Sequence, residues 1–446
     1  MLTQIDSLES DLIQLEQDLV RIPSINTGDM PTGNETQVCE YVQDWLQQSG
    51  IASEILESAP NRGNIIASLM GESGDNGLLF MSHTDVVPVE DDSKWSFPPF
   101  NGEIHEDRIY GRGASDCKGL LTAQLMAMRV LKENNVILRD NLSLISAADE
   151  EHGGRFGFGW LAENHPAKIT APFAINEGGG SPIEAARSLA YVLGTGEKGR
   201  LQIEISVTGD SSHASVPWQG TNALYRLSRL LERIQSYKPE LNISTDIFQH
   251  LSKFAIEHIP SSSNVDDIIL DQEEQNPQLA SMLKALSRMT ITPTMVKGGV
   301  KSNSVPEQIQ LTCDVRTLPN QDEAYLRTEL DKITQDIPGI TYEIDYMAVP
   351  NSSPFNSELA THIKTAINRA MGRTDINLIP AISTGFTDSR FTRPLGVTTY
   401  GFSGSDYSDD PMLARAHGTD ESIGIKSLIS GTKVMLSVAY DLLAVT

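Results

Sequence analysis

The chain has 446 residues, 39% hydrophobic and 21% charged, a profile of a soluble globular protein too long for one ordinary core, so two domains are expected. Its formal net charge of -25 disfavours nucleic acid as a partner, because phosphate binding needs a basic face. Cys39, Cys117 and Cys313 form no C-x-x-C pair, which excludes a disulfide framework and a thiolate zinc site and fits a reducing, cytoplasmic setting.

The first residues lack the basic and apolar regions of a signal peptide, and no run of roughly 18 apolar residues is present to cross a membrane. Ile5, Leu8, Leu12, Leu15, Leu19 and Ile22 recur at helical spacing, predicting an amphipathic helix that Pro23 ends. A second helix is predicted over 34–48, with Gly50 as its stop. Residues 64–69 and 78–81 read as strands joined by a turn-rich hairpin or loop over 71–77. The second of these strands ends in Ser82-His83-Thr84-Asp85. The glycine-rich run from Gly111 to Gly119 holds Asp116 and opens a helix over 119–131. A buried strand over 142–147 runs into Asp149-Glu150-Glu151-His152-Gly153-Gly154, and a strand over 172–175 ends in Asn176-Glu177-Gly178-Gly179-Gly180. Three strand ends thus carry acidic or His residues beside flexible turns. Carboxylates gathered at one sheet edge repel unless a cation sits among them, and open α/β sheets place ligands at that edge.

The pattern then changes. Leu201, Ile203, Ile205 and Val207 alternate with polar residues, as do Ile309, Leu311, Cys313 and Val315, which predicts half-exposed antiparallel strands. A helix is predicted over 221–234. Residues 196–328 read as an inserted α+β domain, with 240–290 as an extra helical or loop segment within it. The first domain is then expected to cover 1–195 and 329–446. It resumes after about Asn320 with a helix over 322–333, a strand over 341–347, a helix over 357–371, a strand over 397–402 and a closing helix over 423–443. Gly194-Thr195-Gly196-Glu197-Lys198-Gly199 fits a dinucleotide-binding glycine motif, but an alternating strand follows it instead of a helix, so it reads as an interdomain hinge. No G-x-S-x-G occurs, which argues against a serine hydrolase with a nucleophile elbow.

His83 and Asp85 are two apart on an extended segment and face one side. A metal-ligating His commonly gives its other ring N–H to a carboxylate. Taken singly, this pair reads as a surface ion pair, Asp116 as a helix N-cap and Cys117 as a small buried residue. Glu150 and Glu151 in an extended segment point apart, so one can ligate a cation while the other serves as general base. Glu177 adds an oxygen ligand and His417 a second imidazole. Two His and three carboxylates suit zinc, with manganese or cobalt next, and a bridging carboxylate can hold two such ions.

In order along the chain, Ser82-His83-Thr84-Asp85-Val86-Val87-Pro88, Gly111 to Gly119, Asp149-Glu150-Glu151, Asn176-Glu177-Gly178-Gly179 and His417-Gly418-Thr419-Asp420-Glu421 resemble the dizinc metallopeptidase family of aminoacylase-1, glutamate carboxypeptidase, acetylornithine deacetylase and succinyl-diaminopimelate desuccinylase. The resemblance covers nearly the whole chain. It implies an α/β, zinc-peptidase-like catalytic domain with a mixed central sheet flanked by helices, plus an inserted α+β, ferredoxin-like lid or dimerisation domain. It implies two divalent ions per chain. His83 and Glu177 would hold one zinc and Glu151 and His417 the other, with Asp116 bridging. Asp85 would orient the base. Glu150 would be that base, taking a proton from the metal-bridging water and passing it to the leaving amine. His213, in Gly209 to Ser215, resembles the His that stabilises the tetrahedral oxyanion and that in dimeric members reaches into the partner's site. Asn303, within 297–306, resembles part of a substrate-contacting segment, and Arg316 the Arg that binds a substrate carboxylate. Residues 387–390 and 401–405 fall on the pocket wall and receive no role. Glu177 stands where many members carry Asp, and the insert is longer than the minimal dimerisation domain. The implied activity is hydrolysis of an amide or peptide bond next to a free carboxylate, in a small peptide or N-acyl amino acid, by a carboxypeptidase, dipeptidase or deacylase with no membrane partner and a homodimer through the insert. The alternative is a catalytically silent, metal- or ligand-binding relative. That would need a lost ligand or base, and His83, Asp85, Asp116, Glu150, Glu151, Glu177 and His417 are all in place.

Overall fold

The computed structural model describes residues 1–185, 188–254 and 256–445. Its larger sheet has ten strands, running in the order Ala52–Glu57, Gly63–Leu69, Asn141–Ala147, Asn76–His83, Phe173–Asn176, Thr398–Gly401, Ser188–Glu197 and Asn351–Ser352, with Asn377–Ser383 and Pro182–Ala185 also paired to Ser188–Glu197. The four central strands, Asn141–Ala147, Asn76–His83, Phe173–Asn176 and Thr398–Gly401, are mutually parallel, so their carboxyl ends share one edge. They are buried along nearly their whole length because helices cover both faces. Leu78, Phe80, Leu142 and Leu144 pack with helices Glu9–Val20, Glu35–Gln48, Gly119–Glu133, Glu358–Ala370 and Ile425–Leu443. The alternate residues Leu79, Met81 and Ile145 pack with Phe158, Leu161 and Ile169 on the other face. The period-two alternation thus divides one apolar run between two layers.

Two local expectations change. The first helix breaks at Leu8 into Leu2–Ser7 and Glu9–Val20. Of the hairpin or loop expected over 71–77, the structure has the loop, over 71–75, because Asn141–Ala147 lies between the strands it joins.

The second sheet is antiparallel, in the order Thr290–Gly298, Gln308–Thr317, Gly199–Thr208, Ile340–Ala348. With helices Ala223–Ser236 and Glu323–Thr334 it makes the β-α-β-β-α-β succession of a ferredoxin-like unit. This corrects the expected return to the first domain at 329. Leu326, Leu330 and Ile333 belong to the second core, and strand Ile340–Ala348 pairs with Gly199–Thr208, so the unit extends to about 348. The 322–333 helix and 341–347 strand have the right type and the wrong domain. A four-stranded unit of this topology needs its last helix and strand, and the alternation of Ile340, Tyr342, Ile344 and Tyr346 toward that core marks the edge strand. Segment 240–290 is also reassigned. Its helices Val265–Gln275 and Pro277–Leu286 pack through Ile268, Leu283 and Leu286 with Ala190, Ile379 and Ile382 of the larger sheet. The 194–199 motif lies where the chain leaves one sheet for the other, and Lys198 Nζ there donates to the carbonyls of Ala285 (2.7 Å) and Arg288 (2.8 Å).

Candidate metal centre

The shared strand edge gathers the acidic and imidazole groups. His83 is the last residue of strand Asn76–His83 and is buried. Its backbone N–H donates to Cys117 Sγ (3.1 Å), so Cys117 buttresses His83 from behind. Asp116 lies in the turn Ala114–Lys118 before helix Gly119–Glu133. Glu177 follows strand Phe173–Asn176 directly. His417, three hundred residues beyond Asp116, arrives through a small sheet. Strand Ser422–Gly424 pairs with Arg108–Tyr110, and the Gly111 N–H donates to the Glu421 carbonyl (2.9 Å). His417 itself adopts φ 63°.

Asp116 is central. Its Oδ1 lies 3.1 Å from His83 Nε2 and its Oδ2 3.1 Å from His417 Nε2. Glu177 Oε1 is 3.5 Å from His83 Nε2, and Glu151 Oε2 is 3.0 Å from His417 Nε2. Asp85 stands behind His83, with Oδ1 3.5 Å from Nδ1. The same carboxylate accepts the backbone N–H groups of Glu150 (3.1 Å) and Glu151 (3.2 Å) and the Asn26 amide (2.9 Å). Glu150 and Glu151 were expected in an extended segment. They occupy a short helical turn, Glu150–His152, after Asp149 at φ 69°, and Asp85 accepts from the first two amides of that turn.

The electrostatics are those of crowded acid. Burial pushes Glu177 up to about 7, aided by Asp116. Burial and then Glu177 raise Glu150 well above the carboxylate range. Burial also raises Glu151. Asp116 goes the other way: hydrogen bonds with His417 and His83 outweigh its burial and hold it below the usual range. Hydrogen bonds to Asp116 and Glu151 lift His417 to about 10. Glu151 Oε1 is buried with no hydrogen-bond partner among the described residues. His83, Asp116 and Glu151 offer ligand atoms within 4.8 Å of one another, as do His83, Cys117 and Glu177. An orphaned carboxylate oxygen, mutual repulsion among the carboxylates and an acid spanning two imidazoles fit a divalent-cation centre by donor type.

Of the expected site residues, the structure brings His83, Asp85, Asp116, Glu150, Glu151, Glu177 and His417 together. It does not join His213, Asn303 or Arg316 to them by any hydrogen bond or ion pair among the described residues. His213 is exposed on the ferredoxin-like unit, with Nδ1 2.7 Å from Ser215 Oγ, and the Asn303 carbonyl accepts the Ala214 N–H (3.0 Å). Arg316 pairs with Asp314 (Nε to Oδ1, 2.7 Å) and donates from Nη1 to the Thr384 carbonyl (3.0 Å). Two residues that received no role stand beside the cluster. Both Asp388 carboxylate oxygens are buried without partners among the described residues, and burial raises that group to about 8. Arg390 stacks on Phe386 (4.1 Å) and Phe391 (4.8 Å), and its buried Nη2 has no partner among the described residues. A methyl group on Gly153 would sit 3.8 Å from that Nη2, which places Arg390 beside the Glu150 turn. The only sequence signal was Thr387-Asp388-Ser389-Arg390 itself, an acid and a base soon after a strand.

A cavity of about 250 Å³ opens beside Asp116 and Glu177, between helices Gly119–Glu133 and Ile425–Leu443. Ser181, Ser403 and Ser405 line it, and the Arg108–Asp409 ion pair forms part of its wall.

Residues 79–441 match the family described as Peptidase family M20/M25/M40. A protein of Staphylococcus aureus named probable succinyl-diaminopimelate desuccinylase is 29% identical over 370 residues, covering 82% of this chain and 83% of its own length. An M20-family metallo-carboxypeptidase from Sulfolobus solfataricus superimposes with a TM-score of 0.73 at 21% identity, covering 97% of this chain and 99% of that one. A Bacillus subtilis protein described as a dinuclear metal-binding peptidase of the same family gives a TM-score of 0.62 at 12% identity, with 97% and 98% covered. The chain belongs to peptidase family M20/M25/M40 and is a metal-dependent hydrolase of amide bonds.

Proposed function

We propose that the bond cleaved lies next to a free carboxylate, in a small peptide or an N-acyl amino acid. The observation that carries this reading is Asp116, which presents one oxygen to each of two imidazoles where the carboxylates of Glu150, Glu151 and Glu177 converge. His83, Asp116 and Glu177 would hold one divalent ion, and Asp116, Glu151 and His417 a second. Zinc suits the donors best, with cobalt and manganese next. Such ions, when bound, polarise a carbonyl and acidify water. Glu150 takes a proton from the attacking water and returns it to the leaving amine. Asp85 fixes the turn that carries Glu150. Arg390, with a buried and unpartnered Nη2, meets the substrate carboxylate, because the Arg316 guanidinium is already held by Asp314 and Thr384. The cavity beside Asp116 receives the rest of the substrate.

His213 and Asn303 act in this reading from a second copy of the chain. The edge strand Thr290–Gly298 is exposed from Thr292 onward, Met295 and Val296 included, and the helix Ala223–Ser236 exposes Leu224 and Tyr225. An open strand edge with apolar residues beside it is a pairing surface. Three buried free cysteines fit a reducing, cytoplasmic setting.

The test is a hydrolysis screen of zinc-, cobalt- and manganese-loaded protein. The panel holds N-acyl amino acids and dipeptides, headed by N-succinyl compounds because of the name of the S. aureus relative. Cleavage that depends on the free carboxylate is expected. Equal turnover of carboxylate-free amides, or none on the whole panel, would sink the reading.

A further inference from the structure

Glu421 closes the His417-Gly418-Thr419-Asp420-Glu421 motif, and nothing so far assigns it a task. It is fully buried. Its Oε1 accepts two backbone N–H groups, from Ser115 (3.0 Å) and from Asp116 (3.0 Å). Its Oε2 accepts Arg112 Nη1 (2.6 Å). Arg112 Nη2 reaches on to the His417 carbonyl (3.3 Å), and the Glu421 carbonyl accepts the Gly111 N–H (2.9 Å). One side chain therefore ties the turn that carries Asp116 to the loop that carries His417.

Holding a carboxylate there is costly. Burial disfavours its charge, and the Asp116 carboxylate is close enough to oppose it further. A buried neutral side chain would fill the same space without that penalty. What an apolar residue would not do is accept both amides of the Asp116 turn. Asp116 is the group on which both imidazoles converge, so a small rotation of this turn misplaces it for two sites at once.

We infer that Glu421 is a positioning residue for the metal centre, which aims the Asp116 carboxylate and fixes its distance from His417. It acts through Asp116 and touches neither ion nor substrate. The inference rests on the two-ion reading above.

The experiment is calorimetric titration of metal-stripped full-length protein with zinc, for the parent, Glu421→Ala and Glu421→Gln, beside circular dichroism and thermal melts. Groups that support metal ligands typically change affinity by about 10- to 100-fold. Glu421→Ala is expected to lose that much for both ions while keeping a two-ion stoichiometry at saturation. Glu421→Gln keeps an oxygen for the two amides but turns an NH2 group toward Arg112, so a loss of about tenfold is expected. A purely structural role would lower the melting temperature and leave the affinities of the folded protein alone. Either variant, if folded and binding both ions with parental affinities, overturns the inference. A parent that binds no zinc overturns the two-ion reading instead, which keeps the failures distinct.

Discussion

Asp85 accepts hydrogen bonds on its carboxylate from the backbone amides of Glu150 (3.1 Å) and Glu151 (3.2 Å), and its backbone carbonyl lies 3.0 Å from His83 Nδ1, so one buried residue orients both His83 and the turn that bears two further acids. Asp85→Asn offers only one acceptor oxygen where the backbone amides of Glu150 and Glu151 and the Asn26 amide now converge. A fall in kcat of about 10- to 100-fold is expected, by analogy with other groups that support metal ligands, with a smaller change in KM. Steady-state kinetics on any accepted substrate checks it. An unchanged kcat would detach Asp85 from catalysis.

Glu150→Gln removes the proton acceptor and keeps the shape. Turnover should fall by about 10²- to 10⁴-fold, the usual worth of general acid–base catalysis, with bound metal unchanged. Parallel loss of metal would mean that Glu150 is a ligand instead.

Arg390→Met keeps the stacking length and removes the charge. It should raise KM at least about tenfold for carboxylate-bearing substrates, since one charge-assisted hydrogen bond contributes about 1.5–3 kcal/mol. Arg316→Met should change KM less, because its guanidinium is committed to Asp314 and Thr384. The reverse order of effects would return the carboxylate role to Arg316.

Lys198 gives a pH signature away from the centre. Burial, with Arg316 and Arg288 nearby, pushes its ammonium down to about 7 from 10.5. Between those values the unfolded chain carries a proton that the folded chain lacks. Stability therefore falls as pH drops from 10.5 toward 7, and this contribution levels off below about 7. Lys198→Met removes that slope. Urea unfolding at two pH values inside the window should show the variant gaining on the parent at the lower one. A constant difference between them would refute the shift.

The catalytic half of the fold was legible because its signals are local. Buried strands such as Leu78–Met81 and Leu142–Ala147 are mostly apolar, and each ends where a turn and an acid begin. Acidic or His residues at three strand ends, His83, Glu151 and Glu177 among them, pointed to a common site, whereas Asp116 and His417 were grouped with them by the family resemblance. The return from the ferredoxin-like unit was not legible at 329. Glu323–Thr334 is an ordinary amphipathic helix, and amphipathicity says that one face is buried without saying against which core. The same ambiguity hid the packing of segment 240–290 against the larger sheet. The proposed role of Arg390 was not legible because the feature that suggests it, a buried nitrogen without a partner among the described residues, exists only once Gly153 and the two phenylalanines surround it.

The most direct test of the central claim is metal content per chain on protein purified without chelator, with activity measured before and after chelation. Two divalent ions per chain are expected, from the two imidazole and carboxylate sets that Asp116 joins. Activity should vanish on chelation and return with added zinc, cobalt or manganese. Protein that takes up no metal, or that hydrolyses its substrate equally well after chelation, would contradict the account.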